Sequence, residues 1–282
     1  MHLSLEIFPP RDDAQQATLE QCLQQLASLQ PEYVSVTFGA GGSTLDRTRS
    51  TVLKLRQQHG LAAVPHVSCM VPDADSVNRM LDEYLQHGID RLVLLRGDRA
   101  DEHEHTGPFH YAEDLVRHVR QRYGDQFAIE VGCYPELHPE SSCAQAELKY
   151  LKRKIDAGAC AAITQYFFNA DAYFQLLDDC AAAGIDVPIT PGIMPITNYQ
   201  RLARFSSMCG AEIPRWLGKR LQSFDDPQSL REFGTDFVCR LCERLLQGGA
   251  PGLHFYTLNR AGATLDIVNR LLPDRRRLVR AG

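Results

Sequence analysis

No apolar run in these 282 residues approaches the length of a membrane span, and no charged-then-apolar leader of the secretory kind opens the chain. Low-complexity stretches and abrupt composition shifts are also missing, so no domain boundary is placed and residues 1–282 read as a single domain. Positive charge is not in excess: 30 Lys and Arg against 35 Asp and Glu give a net charge of −5. That argues against nucleic acid as the main partner but leaves room for a small anion held by a local basic cluster. The H-E-x-x-H and G-x-S-x-G signatures do not occur, and the scattered His and Asp residues make no convincing ligand set. No metal is expected, and the chemistry is steered toward an organic cofactor.

What is present begins with nine cysteines, an odd number spread through strand-like and helix-like segments, which read as reduced thiols of a cytoplasmic protein. Cys239 and Cys242 form a Cys-x-x-Cys, but they sit in a helical stretch without a second pair or a His at zinc spacing, so packing is the expected role. Strand-like runs recur at 3–8, 33–38, 62–69, 91–97, 127–134, 161–167, 187–194 and 252–258. Helical periodicity fills the gaps, as in Leu19, Leu23, Leu26 and Leu29, or Val77, Met80, Leu81 and Tyr84. Eight βα units at this length, with no Gly-rich fingerprint after strand one, predict an α/β fold of the (β/α)₈ TIM-barrel kind rather than an open doubly wound sheet. The stretch 198–248 after strand seven is the one large departure, and predicts extra helices with Pro214 near the start of one.

In such a barrel the chemistry collects at the carboxyl ends of the strands. Glu6 lies within strand one, Thr37 ends strand two, and His66 is in strand three. Arg96-Gly97-Asp98 ends strand four, and strand five runs into Tyr134, Glu136 and His138. Gln165 is in strand six, and strand eight leaves through Asn259-Arg260. Taken singly, each has a structural explanation: Glu6 paired with an Arg, His66 satisfied in the core, Thr37 and Asp98 as caps, Arg96 paired with Asp98. Stability residues have no cause to gather at the same end of seven strands, so a functional pocket is expected there. The loop Gly39-Ala40-Gly41-Gly42-Ser43-Thr44 permits close backbone approach to a ligand. Lys149, Lys152, Arg153 and Lys154 are either a solvated helix face or a clamp for cofactor phosphates.

Several blocks together resemble the methylenetetrahydrofolate reductases, in order from near residue 3 to about 270. They are Leu5-Glu6-Ile7-Phe8-Pro9-Pro10-Arg11, Val34 to Ser43, Leu95-Arg96-Gly97-Asp98, Tyr134 to Glu140, Lys152 to Ala159, Ile163 to Phe168, Pro191 to Pro195 and His254 to Arg260. The resemblance implies a bacterial-type FAD barrel that reduces 5,10-methylenetetrahydrofolate to 5-methyltetrahydrofolate with NADH or NADPH by a ping-pong mechanism, in service of methionine synthesis. It also implies a small-molecule folate substrate and a homo-oligomer. Larger relatives carry a C-terminal domain that senses S-adenosylmethionine, and no such domain is expected in this chain.

The residue roles that follow are implied by that resemblance. Glu6 would be the general acid for opening the folate imidazolidine ring, a role typically worth about 10²–10⁴-fold. Asp98 would lie between flavin and pterin as a second catalytic residue that also binds substrate. Gln165, Arg201, Phe205 and Arg260 would contact folate or nicotinamide. FAD would be held by Thr37, His66, Arg96, Gly97, Asp98, Tyr111 and Ala112, and by Gly132, Tyr134, His138, Tyr150, Arg153 and Lys154. Glu147, which stands where bacterial relatives often have an Asp contacting the cofactor, would join them. A related flavin barrel such as a proline dehydrogenase, and a silent barrel acting as a binding subunit, are the alternatives; the set Glu6, Asp98 and Gln165 argues against the second.

Overall fold

The computed structural model describes residues 2–38, 42–97 and 107–272. Asp98, the glycines at 39–41 and the arginines of 275–280 lie outside the described residues.

Alternation of period two builds the sheet. In β1 (His2–Ile7), Leu3, Leu5 and Ile7 are buried among the helices, while Ser4 and Glu6 point the other way, into the barrel. The same alternation runs through β2 (Tyr33–Val36), β3 (Ala63–Ser68), β4 (Arg91–Leu95), β5 (Ala128–Cys133), β6 (Ala161–Thr164) and β9 (Gly252–Tyr256). All described pairings are parallel, in the order β7-β6-β5-β4-β3-β2-β1-β9-β8. Parallel pairing puts every strand's carboxyl end on one face.

Strand seven, read from sequence as one run, is two short pieces: β7 (Ile189–Thr190), which pairs with β6, and β8 (Gly192–Ile193), which pairs with β9. Pro191 between them has no N–H to give to a ladder. Its carbonyl accepts from His254 N at 3.0 Å, so the proline is the point at which the strand passes from one neighbour to the other. Among the described residues nine short strands thus occupy eight barrel positions, and the two ends of the strand order are consecutive in the chain.

Ten helices are described: α1 (Asp13–Ala27), α2 (Gly42–Gln58), α3 (Ala74–Gln86), α4 (Ala112–Tyr123), α5 (Ala144–Asp156), α6 (Ala170–Ala182), α7 (Tyr199–Cys209), α8 (Arg215–Gln222), α9 (Pro227–Gln247) and α10 (Ala261–Leu271). Side chains that accept from first-turn amides start several of them: Asp12 from Gln15 N, Asp73 from Ser76 N, Asn198 from Arg201 N and Asp226 from Ser229 N. The region after strand seven holds three helices, and Pro214 is the N-cap of α8. Cys239 and Cys242 are both buried on α9, where the Cys239 thiol reaches Ile267 O of α10, a packing position. Among the described residues no helix is long and apolar enough to cross a membrane, and no group of three or more His, Cys, Asp or Glu is placed to hold a metal ion.

Most of the buried apolar side chains lie in one continuous layer between strands and helices, whereas Tyr33, Val64, Val93 and Ile163, with Leu95 against them, form a separate small cluster within the barrel. Strand seven fits its place without a side chain at Gly192: a Cβ there would lie 2.2 Å from Thr164 O and 2.6 Å from the Tyr256 ring. Gly192→Ala should therefore lower the unfolding free energy by about 1–3 kcal/mol, the usual cost of forced overpacking. Urea denaturation of the two proteins measures it, and equal midpoints would show that this contact is not tight.

Candidate active site

At the barrel mouth Glu6 has no Arg partner among the described residues. Its Oε2 lies 3.4 Å from His66 Nε2 and 3.6 Å from His254 Nε2, between two imidazoles whose side chains are 7% and 0% exposed against 18% for Glu6. Neither Nε2 has a hydrogen-bond partner among the described residues. Buried polar atoms are nearly always satisfied, so two orphans aimed at one half-open carboxylate mark a site and not a structural salt bridge. His66 is accordingly not the satisfied core histidine that its sequence position allows. Burial pushes it below the ordinary histidine range and the nearby His254 adds to this, while Glu6 pulls the other way.

The backbone around Glu6 is held from β9. Thr257 donates to Glu6 O through both its amide, at 3.2 Å, and its hydroxyl, at 2.7 Å. Asn259 then clips the end of β1: its Oδ1 accepts from Phe8 N at 3.0 Å and its Nδ2 donates to Phe8 O at 2.8 Å. Arg260, the next residue, is exposed as the N-cap of α10.

Beside the mouth is a cavity of about 310 Å³. Nine of the residues assigned to FAD by resemblance line it: Arg96, Tyr111, Ala112, Gly132, Tyr134, His138, Glu147, Tyr150 and Lys154. Helix α5 contributes Glu147, Tyr150 and Lys154 at i, i+3 and i+7, one face of the helix. The basic run of α5 is thereby divided. Lys154 turns inward and donates to Gly132 O at 2.5 Å, its ammonium pushed below the usual lysine range by desolvation. Lys152 instead pairs with Asp156 at 2.6 Å, Lys149 is exposed, and Arg153 reaches Glu113 at 2.5 Å. Glu147 is buried and accepts from the Ser141 hydroxyl.

Arg96 meets Glu140 through both fork nitrogens, at 2.6 and 2.8 Å. Gly97 follows with φ +85°, and a Cβ there would come within 2.2 Å of Ser68 Oγ, so the chain turns away from β4 only with glycine at this point. Thr37 and His66 stand at the mouth rather than in the cavity; Thr37 N donates to Ile7 O at 3.0 Å. Gln165 accepts from Tyr166 N at 3.0 Å, and the Tyr166 hydroxyl bonds Ser206 on α7 at 3.0 Å. Phe205 and Arg201 are exposed on that helix, and Phe205 directly precedes Ser206. Glu136 serves the structure instead, accepting from Glu212 N at 2.7 Å, and burial pushes its carboxyl up.

The sequence reading did not single out Ser4, Glu113, Glu130 or Ser141, nor give His254 a role. The signal for His254 was available: within Gly252–Tyr256, Leu253 and Phe255 alternate with it, so it had to face the barrel interior.

A sequence profile described as Methylenetetrahydrofolate reductase matches residues 1–272. The chain belongs to the methylenetetrahydrofolate reductase family. It is 39% identical over 272 residues to the 5,10-methylenetetrahydrofolate reductase of Escherichia coli (strain K12), an alignment that covers 96% of this chain and 90% of that one. It is 34% identical to methylenetetrahydrofolate reductase (NADH) 1 of Arabidopsis thaliana, over 95% of this chain and 48% of the plant protein. Membership makes the chain an oxidoreductase and removes the proline dehydrogenase and silent-barrel readings. Among solved structures, a Clostridium thermocellum protein that binds two copies of 5-methyl-5,6,7,8-tetrahydrofolic acid superposes with a TM-score of 0.65 at 17% identity, covering 98% of this chain and 96% of that one. A dihydropteroate synthase from Xanthomonas albilineans gives 0.53 at 13%, covering 97% and 92%. At such identities these two speak for the shared fold.

Because burial holds His66 below the ordinary histidine range in the fold, unfolding in acid takes up a proton there. Its contribution to stability is complete above the ordinary histidine range and is lost as pH falls below it. Between about pH 7.5 and 5 the unfolding free energy should fall by a His66 share no steeper than about 1.4 kcal/mol per pH unit. Chemical denaturation of wild type and His66→Asn measures that share, and identical slopes would show that His66 is not kept neutral.

Proposed function

We propose that this chain is an FAD-dependent reductase of 5,10-methylenetetrahydrofolate, driven by NADH or NADPH, whose product 5-methyltetrahydrofolate serves methionine synthesis. The observation that carries the reading is Glu6: a half-open carboxylate wedged between two buried imidazoles at the mouth, next to a cavity lined by Arg96, Lys154, three tyrosines and three glutamates. The cavity's residues fit a cofactor with anionic and aromatic parts. Lys154 and Arg96 supply positive charge, while Tyr111 and Tyr150, 49% and 43% exposed at the rim, offer ring faces. FAD held by these residues would supply hydride transfer from the nicotinamide to the folate in two half-reactions.

Each turnover consumes one proton in addition to that hydride. The imidazolidine ring of the folate must open to a 5-iminium cation before its methylene carbon can accept a hydride, and opening needs a proton on the departing nitrogen. Glu6 is assigned that proton, a reading supported by its half-open position between His66 and His254. Its main chain is held by Thr257 and the Asn259 clip, which sets where along the mouth the side chain begins. Gln165, beside the mouth on the β6 rim, carries an amide that can donate to and accept from either substrate. Phe205, exposed on α7, offers a ring face to whichever is bound. Asp98 follows Arg96-Gly97 at the end of β4, and as an anion would favour the developing iminium cation.

Glu6→Gln should slow flavin reoxidation by methylenetetrahydrofolate by at least about 10²-fold, the low end for a lost general acid. Flavin reduction by NAD(P)H, which needs no acid, should survive. Stopped-flow flavin absorbance resolves the two half-reactions. Loss of the nicotinamide step with normal reoxidation by folate would show that Glu6 has a different role. A purified protein that neither carries nor takes up FAD would defeat the reading as a whole. Lys154→Met should retain less flavin than wild type through gel filtration, and equal flavin content would remove Lys154 from the binding set.

A further inference from the structure

The barrel interior holds a file of polar groups that the reaction at the mouth does not explain. Glu6 Oε2 lies 3.6 Å from His254 Nε2, and His254 Nδ1 is 2.8 Å from Ser4 Oγ. Ser4 is the register partner of Tyr33 on β2 and faces its hydroxyl inside the barrel, without a direct hydrogen bond between them in this arrangement. Tyr33 donates to Glu130 Oε2 at 2.8 Å. Ser4, Tyr33, Glu130 and His254 are all buried, in a region where barrels of this kind usually stack branched apolar side chains. Four buried polar groups in file are costly, and hydrogen bonds join them in two pairs, His254 with Ser4 and Tyr33 with Glu130.

We propose that this file is a proton store for Glu6: a proton held on Glu130 reaches Glu6 through Tyr33, Ser4 and His254 while substrate covers the mouth. The proposal rests on the reading of Glu6 as proton donor. In the loaded arrangement the Glu130 O–H donates to the Tyr33 oxygen, the Tyr33 O–H to Ser4, the Ser4 O–H to His254 Nδ1, and His254 Nε2–H faces the Glu6 carboxylate. Delivery breaks each of those X–H bonds and forms the next: Tyr33 gains the Glu130 proton, Ser4 that of Tyr33, Nδ1 that of Ser4, and Glu6 that of Nε2. The file then has Glu130 as carboxylate, Tyr33 donating to it, His254 as its other tautomer and Glu6 as the acid. One proton crosses the barrel, one negative charge crosses the other way, and no other reactant is needed.

The surroundings suit each end. Glu130 is faced by Tyr33 from β2, Arg91 from β4 and His254 from β9, with Glu32 beyond Arg91. Burial raises its carboxyl above the ordinary range despite the Tyr33 and Arg91 contributions, as a store requires. Glu6 is faced by His66 from β3 and by His254 and Tyr256 from β9. The route runs through His254 because its second nitrogen bonds onward to Ser4. Arg91, 3.4 Å from Glu130 Oε1, has no proton to give up, so the file ends at Glu130 and is not a channel to the opposite face. Two steps of the file, His254 to Glu6 at 3.6 Å and Ser4 to Tyr33, are not closed as hydrogen bonds here, and gaps of this kind close when substrate binds.

The direction of every hydrogen bond in the file is set by which end carries the charge, and that gives a readout independent of turnover. In ¹⁵N-histidine NMR of the flavin-loaded protein, Glu130→Gln leaves the charge on Glu6 and should fix His254 as the Nε2–H tautomer. Glu6→Gln, measured at a pH high enough to ionise Glu130, leaves the charge on Glu130 and should fix Nδ1–H. Tyr33→Phe cuts the file, so adding Glu130→Gln to it should no longer move the tautomer. In single-turnover reoxidation by folate, Glu130→Gln should lose at least about tenfold in rate on the alkaline limb, with the NAD(P)H half-reaction unaltered. The same His254 tautomer in both single variants, or an unmoved alkaline limb, overturns the store. A Glu6→Gln variant that still reduces folate at the wild-type rate overturns instead the role of Glu6, and the tautomer experiment tells the two failures apart. Should Glu130→Gln not fold, Tyr33→Phe alone must convert a curved proton inventory of the folate step into a linear one, and a curve that persists refutes the relay.

Discussion

The pairing of β1 with β9 is the constraint on which the mouth of the barrel depends. It joins the first strand of the chain to the last, sets Ser4 beside His254 and Glu6 beside Tyr256, and continues past both strands into the Thr257 and Asn259 bonds. Leu258 and Asn259 adopt φ of 50° and 55°, a left-handed backbone that side chains disfavour by roughly 1–2 kcal/mol per residue. Asparagine tolerates that conformation better than most residues, and here its amide is spent on both main-chain groups of Phe8. The strain is thus local to the bend that fixes the carboxylate's main chain.

Strand seven completes the ring by a different device. A proline would interrupt a central ladder, but at Pro191 the interruption coincides with the change of neighbour from β6 to β9, so little pairing is forfeited. Closure without a long strand leaves Gly192, Thr164 and Tyr256 in close contact, and the Tyr256 hydroxyl donating to Thr164 O at 2.7 Å ties the inner face across that joint.

The fold was legible because period-two alternation and helical spacing repeat eight times with short gaps, and each strand's rim residues fall where the chain order puts them. The break in strand seven was not legible, since 187–194 is a plausible single run until the two neighbours are known. The carboxylate at the mouth was visible as a charge inside an apolar strand. Its environment was not: an Arg partner is the ordinary expectation for such a charge, whereas two imidazoles from β3 and β9 meet it here, brought together by a ring closure no local pattern encodes. The basic run of α5 could be sorted into one inward and several outward side chains only by the helix's rotation against β5. Glu130 and Tyr33 escaped because each reads singly as an ordinary strand residue, and their bond spans 97 positions of chain.

A barrel whose apolar layer lies almost wholly outside its strands separates two kinds of obligation. The helices and outward-facing strand residues keep the chain folded, while the inward-facing ones are released from that duty and can be polar, charged or small. Drift at those inner positions would alter what the mouth does to a ligand well before it threatened the ring around it. A lineage built on such a scaffold can exchange one chemistry for another by a few inner replacements, carrying the same outer shell through the change.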